Sequence, residues 1–227
     1  MGADGLKDES KVGGDSSDSL PARIAAGLAE QIIRGELKPG DRVRQDTVAS
    51  DFNASHVPVR EAFRRLEARG LLVSRERKGV YVPLLDRASI VEIMRMRVVL
   101  EGLALKHAIP NVTGHDLDLA EYAIAEAAHC NDIASWEEAN RRFHSSLYAP
   151  CGMPRLLADI ERLHEARLRY MYATAAVIDW HDKSEQEHRG LVDAVRRGDV
   201  EAACSILARH IEDAGEILVA AVARVSG

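Results

Sequence analysis

The sequence predicts a mainly α protein in which three short helices and a β-hairpin precede an all-helical antiparallel bundle. Apolar residues recur at helical spacing from residue 20 almost to the C-terminus. The only strand-like runs, Leu71 to Val73 and Val80 to Val82, flank a charged turn. The charge is divided in the same place, with a net +4 over residues 20–85 and −7 over residues 86–227. A basic segment ahead of an acidic one hints at a nucleic-acid-binding module joined to something else, although the whole chain is net −6.

Composition excludes several classes of function. The chain has 227 residues, of which 46% are apolar, 29% charged and only 4% aromatic, the profile of a soluble helical protein rather than a disordered or collagen-like chain. The longest apolar run near the C-terminus, Ile217 to Ala223, has seven residues, and a membrane span needs about 20. Residues 1–20 lack the apolar stretch of a signal peptide. Cys130, Cys151 and Cys204 are scattered, form no CxxC pair and read as ordinary thiols of a reducing compartment. The expectation is a cytoplasmic protein that makes no use of a membrane.

Residues 1–19 hold four Gly, four Ser and four Asp with almost no large apolar side chain, and are expected to form a disordered tail. Ser19 is placed to cap the first helix, Pro21 suits its first turn, and Ile24, Leu28 and Ile32 form its apolar stripe until Gly35. After the turn at Lys38-Pro39-Gly40-Asp41 comes a short helix over residues 45–52. Asn53-Ala54 breaks it, and Ser55 can cap a third helix. There Val59, Ala62, Phe63 and Leu66 occupy core positions and Gly70 ends the run. With the hairpin, this is the order of a winged helix-turn-helix over residues 20–83. Residues 84–227 read as helices at 87–109, 115–129, 134–149, 153–175, 180–197 and 199–223, separated at Pro110, Pro150-Cys151-Gly152 and Gly198-Asp199.

On the third helix His56, Arg60 and Arg64 share one face by their spacing of four, and Arg75, Arg77 and Lys78 crowd the hairpin turn. Arginine's planar fork fits phosphate and guanine edges. A charge run on a helix is ordinarily a solvated face, and Glu61 and Glu67 offer local partners. The helix–helix–helix–hairpin order favours double-stranded DNA.

The runs Ile33-Arg-Gly-Glu-Leu-Lys-Pro-Gly-Asp41, Ser55-His-Val-Pro-Val-Arg-Glu-Ala-Phe-Arg-Arg-Leu-Glu67 and Gly70-Leu-Leu72 resemble the GntR-family DNA-binding domain, over about a quarter of the chain. The resemblance implies operator contacts from Arg60, Arg64, Ser55, His56, Lys78 and Gly79, made by a homodimer on a short palindrome. The family usually has Arg where His56 stands and often Glu where Gln45 stands, and Asp46 occupies a position that some members make basic. His56 cannot supply arginine's permanent bidentate contact.

Among nine histidines, three lie in suggestive helical contexts: His144, four residues after Asn140, then His188 beside Glu187, and His210. Ligands drawn from facing helices build metal sites in bundles, and three imidazoles with an oxygen donor suit Zn²⁺, Ni²⁺ or a similar ion. A lone histidine is more often packed or surface-exposed. This half of the chain is similar to the FCD-type effector domain of the FadR subfamily, through Arg97-Val-Val-Leu-Glu101, Asn140-x-x-Phe143-His144, Glu187-His188, Ala194, Gly198-Asp199, Ala202 and His210. The resemblance implies a divalent cation (Zn, Ni or Mn) on Asn140, His144, His188 and His210, with Asn140 standing where many members have Asp. It also implies an inward-facing Arg97 near a cavity for a small carboxylate effector. Spacing alone equally allows Arg97 to be locked to Glu101 as an intrahelical pair.

Three functions compete. A ligand-responsive transcriptional regulator accounts for both halves of the chain. A metal-dependent hydrolase on a helical bundle would use the histidines, but no HExxH and no Ser/His/Asp signature is present. A non-catalytic scaffold would leave the arginine face unused. The regulator is the reading the sequence favours, and the protein is not expected to be an enzyme.

Overall fold

The computed structural model describes residues 19–174 and 181–225. The expected tail over residues 1–18 lies outside the described residues. The N-terminal helices are α1 (Leu20–Ile33), α2 (Gln45–Asp51) and α3 (His56–Ala68). Ile24, Leu28 and Ile32 of α1 meet Val59, Phe63 and Leu66 of α3 in one core, which Val48, Leu71, Leu72 and Val82 complete. Gly27 brings α1 onto the ring of Phe52, where a Cβ would stand 2.9 Å from the ring edge. Asn53 leaves α2 at φ 47° and Gly70 leaves α3 at φ 68°, so both expected breaks turn through the left-handed region.

Two local expectations need correcting. The hairpin strands are β2 (Val73–Arg75) and β3 (Gly79–Tyr81), so Leu71 and Leu72 are buried ahead of the first strand rather than part of it. The connection shrinks to Glu76–Lys78, with Arg77 at φ 57° and Gly79 at φ 106°. A third strand, β1 (Arg42–Val43), pairs antiparallel with β3 and makes the sheet order β1-β3-β2. Two residues carry too little periodicity to be seen in sequence. Ser55 holds the N-cap position of α3 but makes no side-chain cap hydrogen bond, and it is exposed.

The remaining helices are α4 (Arg87–Ala108), α5 (Gly114–Ala127), α6 (Ile133–Tyr148), α7 (Pro154–Thr174), α8 (His181–Arg196) and α9 (Val200–Val225). Each lies within about two residues of its expected bounds. Short 3₁₀ turns over Ile109–Asn111 and Ala149–Cys151 fill the proline-marked breaks. Asp86, Asp132 and the Thr113–Asp116 capping box start α4, α6 and α5. Helix α4 is central and packs on α6, α7 and α9. Gly215 of α9 allows close approach there, since a Cβ would overlap Sδ of Met94. Leu105, Ile124, Phe143, Leu147, Leu191 and Leu207 form the main core of this half, and Ile90, Trp136, Tyr170, Met171, Leu218 and Val222 form a second one at its other end.

Candidate functional site

Helix α3 buries Val59, Ala62, Phe63 and Leu66, which leaves His56, Arg60 and Arg64 exposed along its opposite face. Glu61 does not neutralise that row: it binds Arg65 at 2.7 Å. Glu67 accepts from Ser74 Oγ. Arg60 and Arg64 have no acidic partner among the described residues. His56 Nε2 lies 3.8 Å from Asp46 Oδ1 at the start of α2, so it faces a carboxylate that arginine row lacks. The hairpin turn presents Arg77 and Lys78 to solvent. A Cβ on Gly79 would stand 3.1 Å from Arg42 Nε, so glycine serves both the positive φ and the close guanidinium. Unpaired guanidinium groups on a helix face suit phosphate oxygens and base edges.

In the bundle, α6 turns Asn140 and His144 inward, α8 supplies His188 and α9 supplies His210. One ring nitrogen from each histidine lies within 4.8 Å of the others. Phe143 stacks on His188 with centroids 4.0 Å apart, which fixes that ring. His210 Nδ1 binds Glu187 Oε2 at 2.7 Å, leaving its Nε2 as the free lone pair. Tyr148 donates to Glu101 at 2.7 Å, so its oxygen accepts from His144 Nδ1 at 3.1 Å and again leaves Nε2 with the lone pair. That His144 Nε2 and the Asn140 Oδ1 are both buried without a hydrogen-bond partner. Burial, and then the neighbouring His188, pushes the His144 imidazole well below its ordinary value, and burial with His210 does the same to His188. Neutral imidazoles and an unpartnered carbonyl oxygen fit a divalent cation.

Buried polar and charged groups behind the histidines hold them in place, and of these only the Arg97–Glu101 pair was foreseen in the sequence. Glu101 is fully buried and binds Arg97 Nε at 2.6 Å and His164 Nε2 at 3.1 Å, besides Tyr148. Burial alone would raise its carboxyl, but Arg97 and His164 hold it well below the usual range. Glu137 accepts from Asn140 Nδ2 at 3.3 Å and from Arg167. One signal was available in sequence: Ile160, His164, Arg167, Met171 and Thr174 follow one buried stripe of α7, so three polar residues sit at core positions.

Arg97 is paired with Glu101 and also lines a cavity. Asn140, Arg167, Ser184, Glu187, His210 and Asp213 line the same space, which opens to solvent.

A winged helix-turn-helix with a free arginine face, attached to a helical bundle with a cavity beside its histidines, defines a DNA-binding transcriptional regulator. Residues 20–82 match the bacterial regulatory proteins of the gntR family, and residues 92–213 match the FCD domain. The chain belongs to the GntR family of transcriptional regulators, in its FCD-bearing, FadR-type subfamily. It is 33% identical over 195 residues to the "Probable D-xylose utilization operon transcriptional repressor" of Paenarthrobacter nicotinovorans, covering 85% of this chain and 86% of that one. It is 30% identical over 200 residues to the HTH-type transcriptional regulator McbR of Escherichia coli, covering 86% and 90%. The solved structure of E. coli McbR/YncC superposes with a TM-score of 0.75 at 26% identity over 88% of this chain and 97% of that one. These families are transcriptional regulators, not enzymes. Among the described residues no helix is long and apolar enough to cross a membrane.

Proposed function

We propose that this regulator binds a short palindromic operator as a homodimer and is modulated by a small carboxylate metabolite held beside a divalent metal ion. Residues 20–83 form the DNA-binding domain and residues 84–227 the ligand-binding and dimerisation domain. Arg60 and Arg64 read or clamp the duplex, with Ser55, His56, Lys78 and Gly79 at the edges of the contact. The freedom of Arg60 and Arg64 from acidic partners supports this assignment.

The observation that carries the metal reading is the pair of buried, unpartnered acceptors, Asn140 Oδ1 and His144 Nε2, beside His188 and His210. His144, His188 and His210 would hold the ion, and Asn140 would be a weaker fourth contact. When bound, the metal supplies a Lewis-acidic position able to take an oxygen anion. Glu187 and Tyr148 orient two of the imidazoles, the kind of outer-sphere support that metal-ligating histidines use. Arg97 and Arg167 line the same cavity and offer guanidinium groups to a carboxylate. A ligand there alters DNA binding only through unequal affinity for the DNA-competent and DNA-incompetent arrangements.

The test is selection of bound sequences from a random DNA pool, followed by elemental analysis of dialysed protein and release of the selected DNA by candidate carboxylates. Recovery of no two-fold-symmetric sequence would refute the operator reading. Metal-free protein that ignores added Zn²⁺, Ni²⁺ and Mn²⁺ would refute the metal reading.

A further inference from the structure

Helix α4 has two unlike faces. One carries Arg97 and Glu101, both buried, toward the cavity and the histidine cluster. The other carries Glu92, Met96, Val99, Leu103 and Lys106, all exposed. Met96 is 45% exposed, Val99 67% and Leu103 38%, so three large apolar side chains stand in line with no described element over them. Their successive spacings, beginning at Glu92, are four, three, four and three residues. That average of about 3.5 is the spacing of a seam between paired helices, whereas a lone surface helix places polar residues there.

The stripe is self-complementary. Glu92 lies seven residues before Val99 and Lys106 seven residues after it. Neither has an ion pair among the described residues. An antiparallel copy centred on Val99 therefore sets each Glu92 against the partner subunit's Lys106, twice over, and closes the apolar centre between the two pairs. Gly102 lies next to the stripe, three residues beyond Val99, and a Cβ there would meet nothing within 4 Å. Glycine inside a helix is a poor helix former that packing must compensate. Here it exposes bare backbone opposite the partner subunit's Met96, which is also three residues from the centre.

We propose that this face of α4 is the seam on which a second copy of this chain packs, antiparallel, about a two-fold axis at Val99. The proposal rests on the homodimer reading given above and specifies its partner surface and register. A two-fold contact uses the same patch on both copies, as this pattern requires. It also puts a single helix between the cavity and the partner: Arg97 and Val99, two residues apart, point to opposite sides. A shift of α4 driven from the cavity would then change the angle between the two copies.

The test is sedimentation of the full chain over a range of concentrations. The wild type is expected to be a dimer. Val99→Arg should weaken it by about tenfold or more with unchanged helical circular dichroism, because Val99 is mostly exposed in the single chain. Glu92→Lys and Lys106→Glu should each weaken self-association, since each places like charges together at both ends of the seam. Mixing these two variants should restore a heterodimer in which both end contacts are again opposite in charge. Weakening by each variant alone, followed by that rescue, marks the antiparallel register, because a parallel one would already oppose like charges in the wild type. A monomeric wild type at every concentration would overturn the homodimer reading along with the seam. A wild-type dimer left intact by Val99→Arg and by both charge variants would keep the homodimer and overturn the seam alone, leaving the α4 stripe to another occupant.

Discussion

Arg69, at the end of α3, grips Glu165 in the middle of α7 with two hydrogen bonds, Nε to Oε2 at 2.9 Å and Nη2 to Oε1 at 3.0 Å. Arg169, one turn further along α7, donates to the carbonyl oxygen of Gly70 at 3.3 Å. The helix carrying the free arginine row is thus tied at its far end to the helix carrying His164 and Arg167. The pair is about one-third exposed on both sides, and such pairs contribute about 0–1 kcal/mol. Glu165→Gln should therefore leave thermal stability nearly unchanged. It should alter the ratio of operator affinities measured with and without saturating zinc, because it loosens the link between the two halves. A ratio equal to that of the wild type would remove this pair from the route of communication.

The arginine row makes a contrast within one helix. Arg60 and Arg64 are exposed and free of acidic partners, whereas Arg65 is committed to Glu61. Arg60→Ala should cost about 1–3 kcal/mol of operator affinity and relax preference at one base position. Arg65→Ala should cost much less, since its guanidinium is already engaged. A gel-shift titration on the selected operator decides this, and equal losses for the two variants would contradict the assignment.

The elements were legible because their signals are local. The stripe Ile24, Leu28, Ile32 and the run Val59 to Leu66 sit at helical spacing, and prolines or glycines mark nearly every helix end. The three histidines and Asn140 were legible through resemblance rather than spacing, since α6, α8 and α9 meet only in the folded bundle. The roles of Tyr148, His164 and Glu187, and that of Glu101 beyond its pair with Arg97, were hidden for the same reason. Each is an ordinary polar residue until the partner 23 to 63 residues away is known. Strand β1 escaped because two residues have no period, and it exists only by pairing with β3.

Three helix starts depend on ionised aspartates. Asp86 accepts from the Ala88 and Ser89 amides and the Ser89 hydroxyl, Asp132 from the Ser135 amide and hydroxyl, and Asp116 from the Thr113 amide and hydroxyl. These hydrogen bonds lower all three carboxyls from their ordinary value of 3.8. A depressed folded value means stability that is complete above 3.8 and lost as the pH falls through the folded value. Acidification below about 4 should therefore loosen the starts of α4, α5 and α6. At neutral pH Thr113→Ala should cost about 1 kcal/mol by removing the cap of α5. Thermal melts across the acid range check both expectations. A melting temperature for Thr113→Ala equal to that of the wild type at pH 7 would count against the capping box.

Asn140 gives the most direct reading of the bundle's polar centre. Its Oδ1 is buried and unpartnered, while its Nδ2 donates to Glu137 at 3.3 Å. Asn140→Asp would lose that donation and set a second carboxylate beside Glu137, so the metal-free variant should melt below the wild type. The same change offers an added divalent cation a charged oxygen, so the rise in melting temperature on adding Zn²⁺ should be larger than in the wild type. At about 1,000 times the dissociation constant a bound ligand contributes about 4 kcal/mol, a shift on the order of ten degrees for a chain of this size. His188→Ala should abolish the shift, and Glu187→Gln should weaken zinc binding by about 10- to 100-fold by freeing the His210 ring. Parallel thermal melts of the four proteins, with zinc content measured after dialysis, separate these effects. If Asn140→Asp lowers the metal-free melt but gains nothing from zinc, Oδ1 faces the cavity as an acceptor for an organic ligand and has no part in holding a cation.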